Sequence, residues 1–250
     1  MLDQQTITTI LISGATTLTV KAASVGIVNS LVDLWNGVIG HCIHSWSEKR
    51  RLIMEEKFIP SIAEKISKIP DKNLQEPKMS ILGPTLEASK FYIEEEEIRE
   101  MFSNLIAASM DSDYNTSIQN SFVEIIKQLT PYDAKLFKTF FHHGGNPAMS
   151  VIKRNQNESL EILIELFYKN YYFQDYILNE ISINNLERLG LIQIKYNEYI
   201  SFDIFYEEFK NSEIVSKLKQ SYNIETRNFC FKLTPFGLAF RKVCIKDSWN

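Results

Sequence analysis

The sequence predicts a mainly α protein in three parts. These are an apolar helical segment over 1–47, a helical central domain over 48–150 and a C-terminal α+β domain over 151–250. Three observations lead there: a charge-poor apolar block at the start, strongly periodic runs in the middle, and short strand-like runs near the end. Composition excludes whole classes. With 44% hydrophobic and 23% charged residues the chain is not disordered throughout. Nine Gly and seven Pro argue against collagen-like or linker-like chains and against a Gly-rich nucleotide-binding enzyme.

The first block is distinct. From Gln4 to Val32 the only formal charge is Lys21, and from Ala22 to Ser47 it is Asp33. Val28, Leu31, Val32, Trp35, Val38, Ile39 and Trp46 supply a wide apolar helical face, with Asn29, Asp33, Asn36 and Gly40 opposite. Glu48, Lys49, Arg50 and Arg51 follow. Three readings stay open: a single membrane span, an interfacial or conditionally inserting helix, and a helical hairpin buried in the protein or against a second subunit. The polar interruptions count against the span. Thr6 to Val20 is rich in Thr and Ile; continuity with the next segment favours helix over strand there.

Residues 48–69 read as an amphipathic helix with Leu52, Phe58, Ile62, Ile66 and Ile69 on one face, interrupted at Pro60 and ended by Pro70. Residues 71–84 read as a linker, and Thr85 to Tyr92 as a short helix. Ile93 to Met110 is a long helix with Ile98, Phe102, Leu105, Ile106 and Ser109 on one face. Glu94 to Glu97 open it, where the helix dipole favours negative charge, and Arg99 is placed to pair with Glu95. Asp111 to Asn115 is a turn. Ser121 is expected to cap a helix carrying Phe122, Ile125, Ile126 and Leu129. Thr130-Pro131-Tyr132-Asp133 then starts another, with Ala134, Leu136, Phe137 and Phe140.

The run Ile81-Leu-Gly-Pro-Thr-Leu-Glu-Ala-Ser-Lys-Phe-Tyr-Ile-Glu-Glu-Glu-Glu-Ile-Arg-Glu-Met-Phe-Ser-Asn-Leu-Ile-Ala-Ala-Ser-Met-Asp111 resembles the Abi-alpha family of bacterial abortive-infection proteins. So does the run from Ser121 to Leu136. The residues that carry the likeness are Gly83, Pro84, Leu86, Glu87, Ile98, Arg99, Met101, Phe102, Leu105 and Asp111 in the first stretch. In the second they are Ser121, Phe122, Ile125, Leu129, Pro131, Asp133 and Ala134. The chain departs at Gln119-Asn120, where the family usually has His-Pro. The resemblance implies defence against phage and brings no established reaction with it.

The last hundred residues read differently. Ser159 to Asn170 and Phe173 to Glu180 are expected helices. Ser182 is the expected N-cap of a third, ending at Gly190. Leu191 to Ile194 and Asn228 to Leu233 are expected strands, with an inserted helix within 203–225, and Thr234-Pro235 starts a last helix. This order resembles a winged-helix domain, which implies a DNA hypothesis. The charges resist it. The whole chain carries 27 Lys and Arg against 31 Asp and Glu, a net −4, and 151–250 carries 13 of each. The late basic residues Lys217, Lys219, Arg227, Lys232, Arg241, Lys242 and Lys246 form a patch that suits phosphate contact, a solvated surface or a protein interface equally.

No catalytic, cofactor-binding or metal residue is expected. The glutamates at 94–97 point in different directions, the Asp-Ser-Asp turn lacks the rest of a calcium loop, and His41, Cys42 and His44 lack further ligands. His142-His143 before Gly144-Gly145 reads as a helix end. Cys42, Cys230 and Cys244 show no CxxC pair, so a reducing compartment is expected. The start Met-Leu-Asp-Gln-Gln lacks the basic region of a secretory signal. The functional expectation is a non-enzymatic antiphage protein that acts through residues 1–47 on a membrane or on self-assembly. Its partners would be further copies of itself, the membrane surface and a phage-derived trigger protein, with DNA not favoured. It would be cytoplasmic and conditionally peripheral at the inner membrane. The alternatives are a winged-helix DNA-binding regulator and a helical oligomeric scaffold.

Overall fold

The computed structural model describes residues 7–13, 16–21, 26, 29, 48–142 and 144–245. The apolar positions Val28, Leu31, Val32, Trp35, Val38, Ile39 and Trp46 lie outside the described residues, as do His41, Cys42, His44, His143 and Lys246. The chain divides into two compact units. One holds Met1–Pro131 with Ala239–Asn250, the other Tyr132–Leu238. The fold is mixed rather than mainly helical.

The first unit opens with a correction. Strands β1 (Ile7–Ser13) and β2 (Thr16–Lys21) form an antiparallel hairpin, with Ile7 opposite Lys21 and Ile10 opposite Leu18. The expected helix is absent there. The β-branched residues Ile7, Thr8, Thr9, Ile10, Ile12, Thr16, Thr17, Thr19 and Val20 are stiff at χ1 and suit a pleated strand.

Helix α1 (Glu48–Ile53) runs through a wide π turn, Met54–Phe58, into α2 (Ile59–Ser67). Pro60 does not interrupt the run. It sits in the first turn of α2, and the widened turn before it gives its ring room against the preceding carbonyls. Phe58, Ile62, Ile66 and Ile69 are buried as expected, whereas Leu52 is exposed.

The expected linker is shorter and fastened. A 3₁₀ turn, Asp71–Asn73, leads to an extended stretch in which Leu74 bridges Asp111 and the Gln75 N–H donates to the Met110 carbonyl at 2.9 Å. Asn73 Nδ2 donates to Asp113 Oδ2 at 2.7 Å, and Gln75 Nε2 to Asn115 Oδ1 at 2.9 Å. Helix α3 starts at Met79 and runs to Tyr92, with Pro84 inside it. Pro84 has no N–H to give the Ser80 carbonyl, four residues before it.

Helix α4 (Glu96–Ser109) is the centre of this unit. It is buried from Met101 to Ser109 on every side, not on one face, and α2, α3 and α5 (Ser121–Ile126) pack on it. Glu95 is the N-cap residue, so Glu96 and Glu97 occupy the first turn and Glu94 stands outside it. Ser121 is the first residue of α5 and does not cap it. Phe122 packs edge-on against Phe240, ring centroids 5.2 Å apart.

The second unit is built on a four-stranded antiparallel sheet, order β4-β3-β6-β5. The strands are β3 (Asn146–Arg154), β4 (Leu160–Phe167), β5 (Ile192–Lys195) and β6 (Ile224–Leu233). The helix expected over Ser159–Asn170 is therefore strand β4, which pairs with β3. The two strands expected as a wing, β5 and β6, do pair, with Ile192 opposite Leu233, but they form half of a larger sheet. Helix α6 (Pro131–Lys138) precedes the sheet. Helix α7 (Tyr176–Arg188) replaces the two short helices expected over 173–189. Its N-cap is Asp175, whose carboxylate accepts from the N–H groups of Ile177 and Leu178, and Ser182 lies mid-helix. Gly190, at φ +73°, ends it as expected. Its N–H reaches the Glu187 carbonyl and that of Leu191 the Leu186 carbonyl, both bonds of a Schellman motif.

Two helices, α8 (Ile204–Lys210) and α9 (Glu213–Ser221), fill the insertion before β6. The core is aromatic. Phe140 meets Phe231 at 4.8 Å, Tyr168 meets Phe231 at 5.2 Å, and Phe167 meets Phe209 at 5.8 Å. Helix α10 (Pro235–Cys244) closes the described chain.

Candidate functional site

The densest buried polar group lies on α6 and α7. Asp133, 4% exposed, accepts a hydrogen bond from Ser182 Oγ at 2.5 Å and another from Asn185 Nδ2 at 3.0 Å. One turn earlier on α7, Asn179 Nδ2 donates to the carbonyls of Tyr168, at 2.8 Å, and Phe173, at 3.0 Å. Its Oδ1 accepts from the Tyr132 hydroxyl at 2.7 Å. The inner face of α7 is thus half polar, with Asn179 and Ser182 beside Ile183 and Leu186. Ser182, 2% exposed, meets no solvent and its donor is committed to Asp133. In this arrangement the carboxylate orders the side-chain donors of Ser182 and Asn185.

A second polar set is carried by the carboxylates of α7 that face the sheet. Glu180 accepts from the Leu166 N–H of edge strand β4 at 3.3 Å, and Glu187 from the Ile194 N–H of β5 at 2.7 Å. Burial pushes the Glu180 carboxyl above its ordinary range, opposed by the Leu166 N–H and reinforced by Glu165. Burial also raises the nearby Tyr196 phenol, with help from the same carboxylates. Both glutamates satisfy strand N–H groups that the sheet leaves open.

In the first unit the polar groups on α4 are also structural. Arg99 is buried and donates through Nη1 to the Ile93 carbonyl at 2.8 Å, instead of pairing with Glu95. Asn104 Nδ2 donates to the Cys244 carbonyl at 2.9 Å, tying α4 to the end of α10. Burial raises the Cys244 thiol well above its ordinary value. At the edge of this unit Glu94 accepts from Lys49 Nζ at 2.8 Å and Arg50 Nε at 2.6 Å.

Among the described residues no group of three or more His, Cys, Asp and Glu side chains could hold a metal ion. No helix of the described residues is long and apolar enough to cross a membrane. Several of the late basic residues have local partners. Lys217 pairs with Glu213 and Lys232 with Glu198, each at 2.5 Å. Lys219 donates to the Lys210 carbonyl, Lys242 lies over the Tyr114 ring, and Arg241 is buried.

The family model for abortive infection alpha matches residues 50–244. The chain belongs to the abortive infection alpha family. That match covers most of the chain, far beyond the 81–136 stretch that carried the resemblance, and it includes both structural units. No curated protein matches the chain, and no solved structure does.

The family-motif residues fall into two kinds. Leu86, Ile98, Met101, Phe102, Leu105, Phe122, Ile125, Leu129 and Ala134 are core side chains, and Arg99, Asp111 and Asp133 are buried polar ones. Gly83, Pro84, Glu87, Ser121 and Pro131 lie at or near the surface on helices. Asp111 accepts from the Asp113 N–H at 3.0 Å and so closes the turn after α4. Ser182, Asn179 and Asn185, the partners of the motif region in the second unit, were missed from sequence. Their signal was present in the spacing 179, 182, 183, 186, which is one helical face.

Proposed function

We propose that this abortive infection alpha protein is a non-enzymatic antiphage effector. In this reading the family fold over 50–244 supports the apolar segment before it, and that segment engages the membrane during infection. Family membership is the observation that supports the defence role. The membrane step rests on sequence: Ala22 to Ser47 holds one formal charge, Asp33, together with Trp35 and Trp46, and Lys49 to Arg51 follow.

The test pairs defence with location. Cells expressing the full chain, or a chain starting at Glu48, are challenged with a phage panel and their membranes washed with high salt and then alkaline carbonate. Protection by the full chain, its retention through both washes after infection, and loss of both in the shortened chain are expected. Full protection by the chain that starts at Glu48 overturns the membrane step. Protection by the full chain alone, with both forms always in the supernatant, points to self-assembly through residues 1–47 instead.

A further inference from the structure

The unit of residues 132–238 carries an aromatic surface. Phe141, Tyr171, Tyr172, Phe202, Ile204 and Phe205 are exposed, from 41% at Phe205 to 86% at Tyr171. Four of them, Phe141, Tyr171, Ile204 and Phe205, line a cleft of about 380 Å³. Tyr172 stands edge-on to Tyr171 with centroids 5.1 Å apart, and Phe202 lies 6.4 Å from Phe205, so the six make one surface. At roughly 200 Å² for each such side chain, they expose on the order of 800 Å². The largest apolar patch of an ordinary monomer is about 300–600 Å². A standard interface takes about 800 Å² from each partner.

Charge and shape select the occupant. The two charged residues of the cleft, Lys169 and Glu208, pair with each other at 3.4 Å. A face that neutralises itself does not repel its own copy, and it offers no field to an acidic or basic partner. The cleft floor is formed by Pro147, Tyr168 and Phe209, an apolar hollow beside projecting tyrosine rings. A two-fold axis would set the rings of one copy against the hollow of the other.

We propose that this aromatic face is an isologous dimer interface, covered by the same face of a second copy of the chain. The proposal is independent of the reading of residues 1–47. Full-length chains, light and isotopically heavy, carrying p-benzoylphenylalanine in place of Tyr172 are mixed and photolysed. Light–heavy cross-links from position 172 to residues 139–209 of the other copy are expected. Cross-links within one chain only, or to residues 1–47 of the other copy, overturn the proposal. Sedimentation of the full chain gives a second readout. Ile204→Glu, and Tyr171→Ser as a milder change, are expected to weaken self-association roughly tenfold or more with an unchanged circular dichroism spectrum. Self-association that neither variant alters, or a wild-type chain that stays monomeric at about 100 μM, overturns it.

Discussion

Asp133 and Ser182 are 49 residues apart, yet the Ser182 hydroxyl donates to the Asp133 carboxylate at 2.5 Å inside the second unit. A residue of the family motif is thereby joined to a helix that the motif does not include. Asp133→Ala leaves the donors of Ser182 and Asn185 without this acceptor, and a loss of about 2–4 kcal/mol is expected. Ser182→Ala leaves the carboxylate with Asn185 and is expected to cost about 1–2 kcal/mol. Urea unfolding of both single variants and the double variant gives the coupling, expected at about 1–2 kcal/mol. Strict additivity would show that the two groups do not act together.

Two glycines carry opposite expectations. A Cβ on Gly237 would stand 1.8 Å from the Leu191 carbonyl oxygen. The close approach is set by Thr234, whose hydroxyl accepts from the Gly237 N–H at 2.8 Å and donates to the Gly190 carbonyl at 2.6 Å. Gly237→Ala must push β5 away from α10, and a cost above about 4 kcal/mol or failure to fold is expected. Gly83 lies inside α3 with open space around the position. Gly83→Ala is expected to stabilise by about 0.5–1 kcal/mol, read as a higher urea midpoint at unchanged slope.

The helices of the first unit were legible because their apolar residues are periodic and their ends carry Pro or polar turns. The second unit was harder for identifiable reasons. β3 is central and buried on both faces through Ile152, so it shows no alternation. β4 contains Leu160, Ile162, Leu163, Ile164, Leu166 and Phe167, a short apolar run that fits either period and reads as a helix. The polar turn Asn155 to Ser159, where Glu158 adopts φ +63°, marked the hairpin that joins them. A serine between isoleucines reads as a cap, so the sequence pattern breaks α7 at Ser182. The helix continues because that serine has a buried acceptor. Asp133 is legible only as a motif residue, since a first-turn aspartate is ordinarily a solvated one and the donors of Ser182 and Asn185 lie far along the chain.

The described cysteines give a simple chemical expectation. Burial raises both the Cys244 and the Cys230 thiols, so neither supplies much thiolate near neutral pH. Iodoacetamide at pH 8 is expected to leave both unmodified in the native protein and to modify both in denaturant, as read by peptide mass. Rapid native labelling of Cys244 would mean that the end of α10 opens from α4 and breaks the Asn104 hydrogen bond.

Glu94 links the fold to the proposed membrane step. Hydrogen bonds from Lys49 and then Arg50 hold its carboxyl down at about 2, from 4.5. A depressed folded pKa stabilises above the unfolded value, and that contribution fades as pH falls from about 4.5 toward about 2. The pair is exposed, so added salt should move the midpoint back upward. Carboxyl ¹³C titration is expected to place Glu94 near 2 at low salt, and an ordinary midpoint there would exclude the pair. The same two cations border the apolar segment, and in the proposed membrane step Glu94 would compete with lipid phosphate for them. Glu94→Gln is therefore expected to raise partitioning of the full chain onto anionic vesicles by roughly tenfold at low salt, with no change on neutral vesicles. Equal partitioning of the variant and the wild-type chain on anionic vesicles would mean that Lys49 and Arg50 serve the fold alone, and that any lipid contact is made by the apolar residues without them.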